Sequence, residues 1–342
     1  MLRLLILGVA LWSANGIVCG QGSNESQEAS LPIIKSEQTI EPLVEPPCSY
    51  CIEQNDKGFI QPDDRVLAWI RGAQNGGAFP LDRFITTSRV INDTYGLFFY
   101  DPAGGYVSAF EKDYGFEFYG WRNGVMVVKG PDGSLWSALS GRALAGPSAG
   151  KTMNRVPSML TSWQHWMYLH PESTAYNLFD DRRYPQKKLS WDMEAEASDT
   201  ITVQDPRLER LQRVIGLEGN ESQIAFSLEG LADREVLSST LDDKSVVVFW
   251  YKPTDSVAAF LAEVDGKTLT FYPDTISPGT APFKDRETGT RWSLAGRGID
   301  GPLRGKELQW VPSIQCRWYA WSTEYPETKL VGHEDSDAKA DQ

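Results

Sequence analysis

Two arginines are the side chains best suited to chemistry. Arg142 and Arg297 each follow a tryptophan, Trp136 and Trp292, into a Gly-rich turn. A guanidinium offers a planar fork of donors that matches a carboxylate or a phosphate. The same residue in such a turn can instead be buried and spent on loop carbonyls. Trp136 and Trp292 could stack a sugar ring, or fill equivalent places in a core. Catalysis would also need acid–base groups. Asp93, Asp101 and Asp132 are available, but their spacing singles out no pair.

Other chemistries have less support. His165 and His170 are five apart, about 140° around a helix, so one helix face cannot offer both to a metal. Neither a Gly-x-Ser-x-Gly elbow nor a His-Glu-x-x-His motif occurs. Ala145–Thr152 loosely resembles a phosphate loop, but Ala replaces its first Gly. The related stretch Asp300–Glu307 has Glu307 where a magnesium-binding hydroxyl belongs. A turn shaped by Gly and Pro is the better account. Lys151 and Lys306 read as solvated turn residues. Cys48-Ser-Tyr-Cys51 is expected to form a local disulfide, with a redox pair or half a metal site as alternatives. Structural zinc needs about four ligands, and Cys316 is the only other thiol beyond the leader. No metal and no cofactor are expected.

The elements that carry these residues come in two copies. Gly133-Ser-Leu-Trp-Ser137, Gly141-Arg142, Gly146-Pro147, Gly150-Lys151, Val156-Pro157-Ser158 and Trp163-x-x-Trp166 recur in order. The second series is Gly289-Thr-Arg-Trp-Ser293, Gly296-Arg297, Gly301-Pro302, Gly305-Lys306, Val311-Pro312-Ser313 and Trp318-x-x-Trp321. The reading is two tandem modules, 64–177 and 211–332, joined by a charged connector at 178–208. Each is expected to be mainly β, with α+β as the variant: an antiparallel sheet or barrel-like module with one short Trp-rich helix. Apolar runs predict strands at 66–70, 96–100, 106–110, 125–128, 214–217, 246–251, 257–260 and 268–272. Asn123-Gly124 and Asp265-Gly266 are hairpin signals. The helices are predicted over 161–169 and 316–324, each ending before a proline, with Ser158 and Ser313 as N-caps or as caps of the turn just before the helix.

The run Gly-Ser-Leu-Trp-Ser, Gly-Arg-Ala-Leu-Ala-Gly-Pro-x-x-Gly, Val-Pro-Ser and Trp-x-x-Trp…His-Pro-Glu-Ser resembles a bacterial family, domain of unknown function 3179. Asp285-Arg-Glu-Thr-Gly-Thr-Arg-Trp292 is similar to that family's approach to its Trp. The resemblance covers both modules, implies an exported protein and carries no activity. Members often have a Cys-Pro-x-Cys-Gly type stretch after a central strand. Asp101-Pro-Ala-Gly-Gly105 and Lys252-Pro-Thr-Asp-Ser256 stand there instead, which puts thiol or metal chemistry at those places in doubt.

Charge and the chain ends narrow the function. The net charge of −13 is carried by residues 21–57, 192–206 and 333–342, leaving the rest balanced. Nucleic-acid binding is disfavoured without a basic face. Residues 1–20 read as a signal peptide: Met1-Leu-Arg3 precedes an apolar core, Leu4–Leu11, too short to cross a bilayer. Lipid anchoring at Cys19 is the minority alternative. Residues 21–60 read as a polar Pro/Glu-rich arm and 333–342 as an acidic tail. No later apolar run is long enough for a transmembrane helix. The expectation is an exported, periplasmic or extracellular, non-catalytic protein that binds a partner protein or glycan. The alternative is a hydrolase or transferase using Arg142 or Arg297 with nearby carboxylates.

Overall fold

Short runs rich in Val, Ile, Phe, Tyr and Trp alternate with Gly, Asn and Asp, and this composition favours strands broken by tight turns. The computed structural model follows that pattern and describes residues 31–46, 59–71, 75–84, 88–178, 192–277 and 279–332. The predicted signal peptide, Cys19, Cys48, Cys51 and the acidic tail lie outside the described residues.

The first half contains β1 (Ile33–Lys35), β2 (Leu43–Val44), β3 (Arg65–Arg71), β4 (Asn75–Pro80), β5 (Arg89–Asp93), β6 (Gly96–Asp101) and β7 (Tyr106–Phe110). It continues with β8 (Glu117–Arg122), β9 (Val125–Lys129), β10 (Leu135–Ser137), β11 (Ala143–Ala145), β12 (Ser158–Ser162), α1 (Trp163–Leu169) and β13 (Thr174–Ala175). Helix α2 (Asp192–Asp199) follows. The second half contains β14 (Arg213–Glu218), β15 (Gln223–Ser227), β16 (Arg234–Leu241), β17 (Lys244–Tyr251), β18 (Ser256–Leu261), β19 (Glu263–Val264) and β20 (Lys267–Thr268). It ends with β21 (Phe271–Pro273), β22 (Phe283–Asp285), β23 (Arg291–Trp292), β24 (Gly298–Asp300), β25 (Ser313–Arg317), α3 (Trp318–Glu324) and β26 (Lys329–Val331).

The architecture is mainly β. One sheet has the order β12-β3-β4-β13 and another the order β25-β14-β15-β26, each with a helix following its first-named strand. The other larger sheets are β2-β5-β6-β7, β16-β17-β18, β1-β8-β9-β10-β11 and β21-β22-β23-β24. Both predicted hairpin turns form, and both positions of each have positive φ: 48° and 81° at Asn123-Gly124, 51° and 76° at Asp265-Gly266.

Four sequence expectations are revised. Residues 33–35 and 43–44, assigned to a polar arm, are edge strands: Ile33–Lys35 pair with β8 and Leu43–Val44 with β5. Ile40 between them is 4% exposed, so a few apolar residues anchor a stretch that is polar on average. The described part of the connector, from residue 192, also docks. Glu196 of α2 accepts hydrogen bonds from Trp121 Nε1 at 3.2 Å and Ser36 Oγ at 2.6 Å, and Ala197 is buried. Ser158 and Ser313 open strands instead of capping helices, because 158–162 and 313–317 are paired against β3 and β14. Ser162 caps α1, accepting from the His165 N–H, while Arg317 at the start of α3 makes no side-chain cap. The predicted 268–272 strand is split between β20 and β21.

The described residues from Pro32 onward form one compact unit. Its main apolar cluster joins Phe110, Trp121 and Trp136 of the first half to Val214, Trp318 and Trp321 of the second. A second cluster carries Met159 and Leu169 of the first half against Phe249, Phe283 and Trp292. These two clusters are shared between the halves, while three others lie within one half each.

Candidate functional site

The Gly-rich turns carrying Arg142 and Arg297 are built alike. The Ser137 N–H donates to the Arg142 carbonyl at 2.9 Å, and the Ser293 N–H to the Arg297 carbonyl at 2.9 Å. Each arginine is preceded by a left-handed glycine, Gly141 at φ 68° and Gly296 at φ 74°. At both glycines an aromatic ring, Phe110 or Phe260, occupies the space a Cβ would need. Both arginine side chains are exposed and make no hydrogen bond or ion pair among the described residues. They are therefore not spent on loop carbonyls, and no carboxylate joins either of them. Arg297 lies close enough to His170 to affect its titration. Burial, and then this positive charge, lower the His170 pKa to about 4.

The tryptophans face inward. Trp292 is fully buried, its Nε1 donates to Asp285 Oδ2 at 2.9 Å, and its ring meets Phe271 edge-on. Trp136 is 9% exposed, packs edge-on against Phe116, and its Nε1 has no hydrogen-bond partner. Neither offers a stacking face to solvent. This difference gives a measurable contrast. Trp292→Phe will cost about 1–3 kcal/mol more than Trp136→Phe, because only the former strips a donor from a buried carboxylate. Urea titration of the two variants compares them directly; equal midpoint shifts would refute the assignment.

The other candidates are dispersed. Asp93 Oδ1 accepts from the Tyr95 N–H at 2.9 Å, closing a turn. Asp132 accepts from the Ser134 N–H and from the hydroxyls of Ser134 and Ser148. The Ser134 backbone bond, followed by the Ser148 hydroxyl, holds its carboxyl below the usual range. His165 is buried against Tyr251, with Nε2 unpartnered and its pKa lowered to about 4 by burial. His170 instead lies tilted against Trp166, with ring centres 4.2 Å apart. Lys151 Nζ reaches Ser148 Oγ at 3.3 Å, and Lys306 pairs with Asp265 at 2.8 Å. Cys316 is a buried free thiol pushed upward in pKa, mainly by burial. Among the described residues, no three His, Cys, Asp or Glu side chains gather into a metal-holding group. No described helix is long and apolar enough to cross a membrane.

The strongest polar constellations were not singled out by sequence, and they sit where the halves meet. Asp255, in the turn between β17 and β18, is held by Arg65 Nη1 at 2.7 Å and by Arg213 Nη1 at 2.7 and 2.9 Å. Arg65 and Arg213 begin the corresponding strands β3 and β14. Glu324 of α3 accepts from Arg122 at 3.0 Å and from Ser140 Oγ at 2.7 Å. Glu218 accepts from Arg155 Nε at 2.7 Å, and the same guanidinium donates to the Leu139 carbonyl. In the β6–β7 turn, the Arg317 N–H donates to Gly104 O and its Nη1 to Ala103 O, both at 2.8 Å. Asp101, which opens that turn, is fully buried. A Cβ at Gly104 in that turn would come within 2.4 Å of the Tyr106 ring.

No curated protein and no solved structure matches the chain. A family match runs as one continuous span over residues 42–328, with the description "Protein of unknown function (DUF3179)". That span takes in β3 to α3, and with them both Gly-rich turns and every inter-half ion pair described above, so the chain belongs to the DUF3179 family.

Proposed function

We propose that this chain is an exported envelope protein, built from two copies of one module, that binds a protein or glycan and does not catalyse a reaction. One observation carries the binding reading. The carboxylates Asp255, Glu324 and Glu218 are engaged by arginines or hydroxyls at the junction of the halves, whereas Arg142 and Arg297 project to solvent unpartnered. An exposed guanidinium on a rigid Gly-rich turn suits forked recognition of a carboxylate or phosphate.

The two-copy reading has three supports. The two sheet orders correspond strand for strand. A small cleft between the halves is lined by residues at matching positions, including Leu67 with Ile215, Val107 with Val257, and Ser158 with Ser313. Each half also lends its Gly-rich turn to a cluster containing the other half's helix end, as a two-fold arrangement requires: Leu139 and Ala143 join Tyr325, and Leu303 joins Leu169. Export rests on the basic start and short apolar core of residues 1–20.

Thermal shift of the protein lacking residues 1–20 tests the binding reading, since a ligand for the folded state raises its melting temperature. The probes are polygalacturonate, chitooligosaccharide and muramyl peptides. The expected result is a rise with one of them that is lost in the Arg142→Ala/Arg297→Ala double variant. No rise, or an equal rise in the variant, would overturn it. Release of new reducing ends would favour a hydrolase instead.

A further inference from the structure

We propose that the second half binds a single aromatic ring without negative charge, in a cavity walled by β15, β16 and β26. The cavity has a volume of about 120 Å³. Phe226, Leu231, Leu237 and Val331 form its buried wall, and Glu229 and Gly332 stand exposed at its mouth. Apolar walls leave a water molecule few partners, and an apolar cavity of roughly 150 Å³ stays dry and takes up benzene. Neither Arg142 nor Arg297 lines this space, so the site does not depend on what those arginines bind.

The first half shows what fills the corresponding place. The sheets β12-β3-β4-β13 and β25-β14-β15-β26 share a register. Leu67 opposite Phe79 corresponds to Ile215 opposite Phe226, and Ala175 beside Ala78 to Leu330 beside Ala225. One position further on, Tyr176 stands where the second half has Val331. The Tyr176 ring stacks on Phe79, with centres 4.4 Å apart and planes at 24°. Phe79 also meets Trp69 at 4.8 Å, Phe98 at 5.1 Å and Phe84 at 6.4 Å. Register puts Leu217 in the place of Trp69 and Val248 in the place of Phe98. Leu231 follows Phe226 as Phe84 follows Phe79. Of this aromatic group only Phe226 remains in the second half, and the cavity lies against it and Val331. A ring the size of the Tyr176 phenol can stack offset there, as aromatic pairs prefer. At the rim, Ser227 Oγ accepts from Gln212 Nε2 at 2.6 Å and from the Glu229 N–H at 3.1 Å, so its own proton is left for a ligand oxygen. A carboxylate would find no Lys or Arg in the lining and would pass Glu229 on entry. Phenol meets both conditions.

Thermal shift and saturation-transfer NMR on the protein lacking residues 1–20, with phenol and benzoate as probes, test the site. Phenol should raise the melting temperature and show saturation transfer. Benzoate should bind roughly tenfold more weakly, because its carboxylate would be desolvated without a partner. Val331→Tyr introduces the residue found in the first half, and Leu231→Phe enlarges another wall. Each should fill the cavity and weaken phenol binding roughly tenfold, since a packed space resists added atoms. The Arg142→Ala/Arg297→Ala double variant should bind phenol as the parent does, which separates this site from any ligand of the arginines. Benzoate binding as tightly as phenol, or phenol affinity unchanged in both cavity-filling variants, would overturn the proposal. So would an absence of phenol binding in the parent, which would mean that the space closes or is taken by the chain's own residues 333–342.

Discussion

Arg155→Ala will destabilise the protein by roughly 3–5 kcal/mol, the scale expected when one partner of a buried ion pair is removed. The Arg155 side chain is 4% exposed and Glu218 is 16% exposed. The guanidinium bonds Glu218 and the Leu139 carbonyl while lying 5.0 Å from the centre of the Phe110 ring. Truncation therefore strands a carboxylate, orphans a carbonyl and opens a void between the halves. Urea unfolding measures the loss. Arg155→Met combined with Glu218→Leu should recover most of it, because an apolar pair of similar volume carries no stranded charge. If the single variant costs less than about 1 kcal/mol, the pair behaves like a surface ion pair and the assignment fails.

Trp321→Ala will cost a similar amount, about 3–5 kcal/mol, by opening a cavity. The ring is fully buried, stacks obliquely on Tyr325 at 4.3 Å, and donates from Nε1 to Thr328 Oγ1 at 3.0 Å. Its fit is close enough that Gly216 could gain no Cβ without meeting the ring at 2.2 Å. Trp321 belongs to the apolar cluster that also holds Trp121 and Trp136. Fluorescence and circular dichroism should therefore report one coincident transition at a lower urea midpoint. Two separated transitions, in either this variant or Arg155→Ala, would mean that the halves unfold independently.

The strands and hairpins were readable where apolar runs met left-handed turn residues, as at Val125–Lys129 after Asn123-Gly124. Strands such as Asn75–Pro80 and Glu117–Arg122 were missed because Gly, Pro and charged residues break their alternation; cross-strand partners hold them in place. The ends of the Trp-rich helices were marked by proline, but their starts were displaced because pairing with β3 and β14 outweighed the capping preference of serine. Arg142 and Arg297 were legible through repetition and do reach the surface. Asp255, Glu324 and Glu218 were not, since their partners lie 42 to 202 positions away along the chain. Such convergence is a product of topology and leaves no mark in local spacing.

The shared core has a kinetic consequence. Trp121 and Trp136 belong to one cluster with Trp318, Trp321 and Tyr325, so that cluster cannot be completed until nearly the whole chain has emerged from the ribosome. Contacts of such long sequence separation form slowly, because loop closure precedes any gain from burial. A nascent chain that lacks its last strands would leave Trp121 and Trp136 facing an unfilled core, while the clusters that lie wholly in the first half could already close.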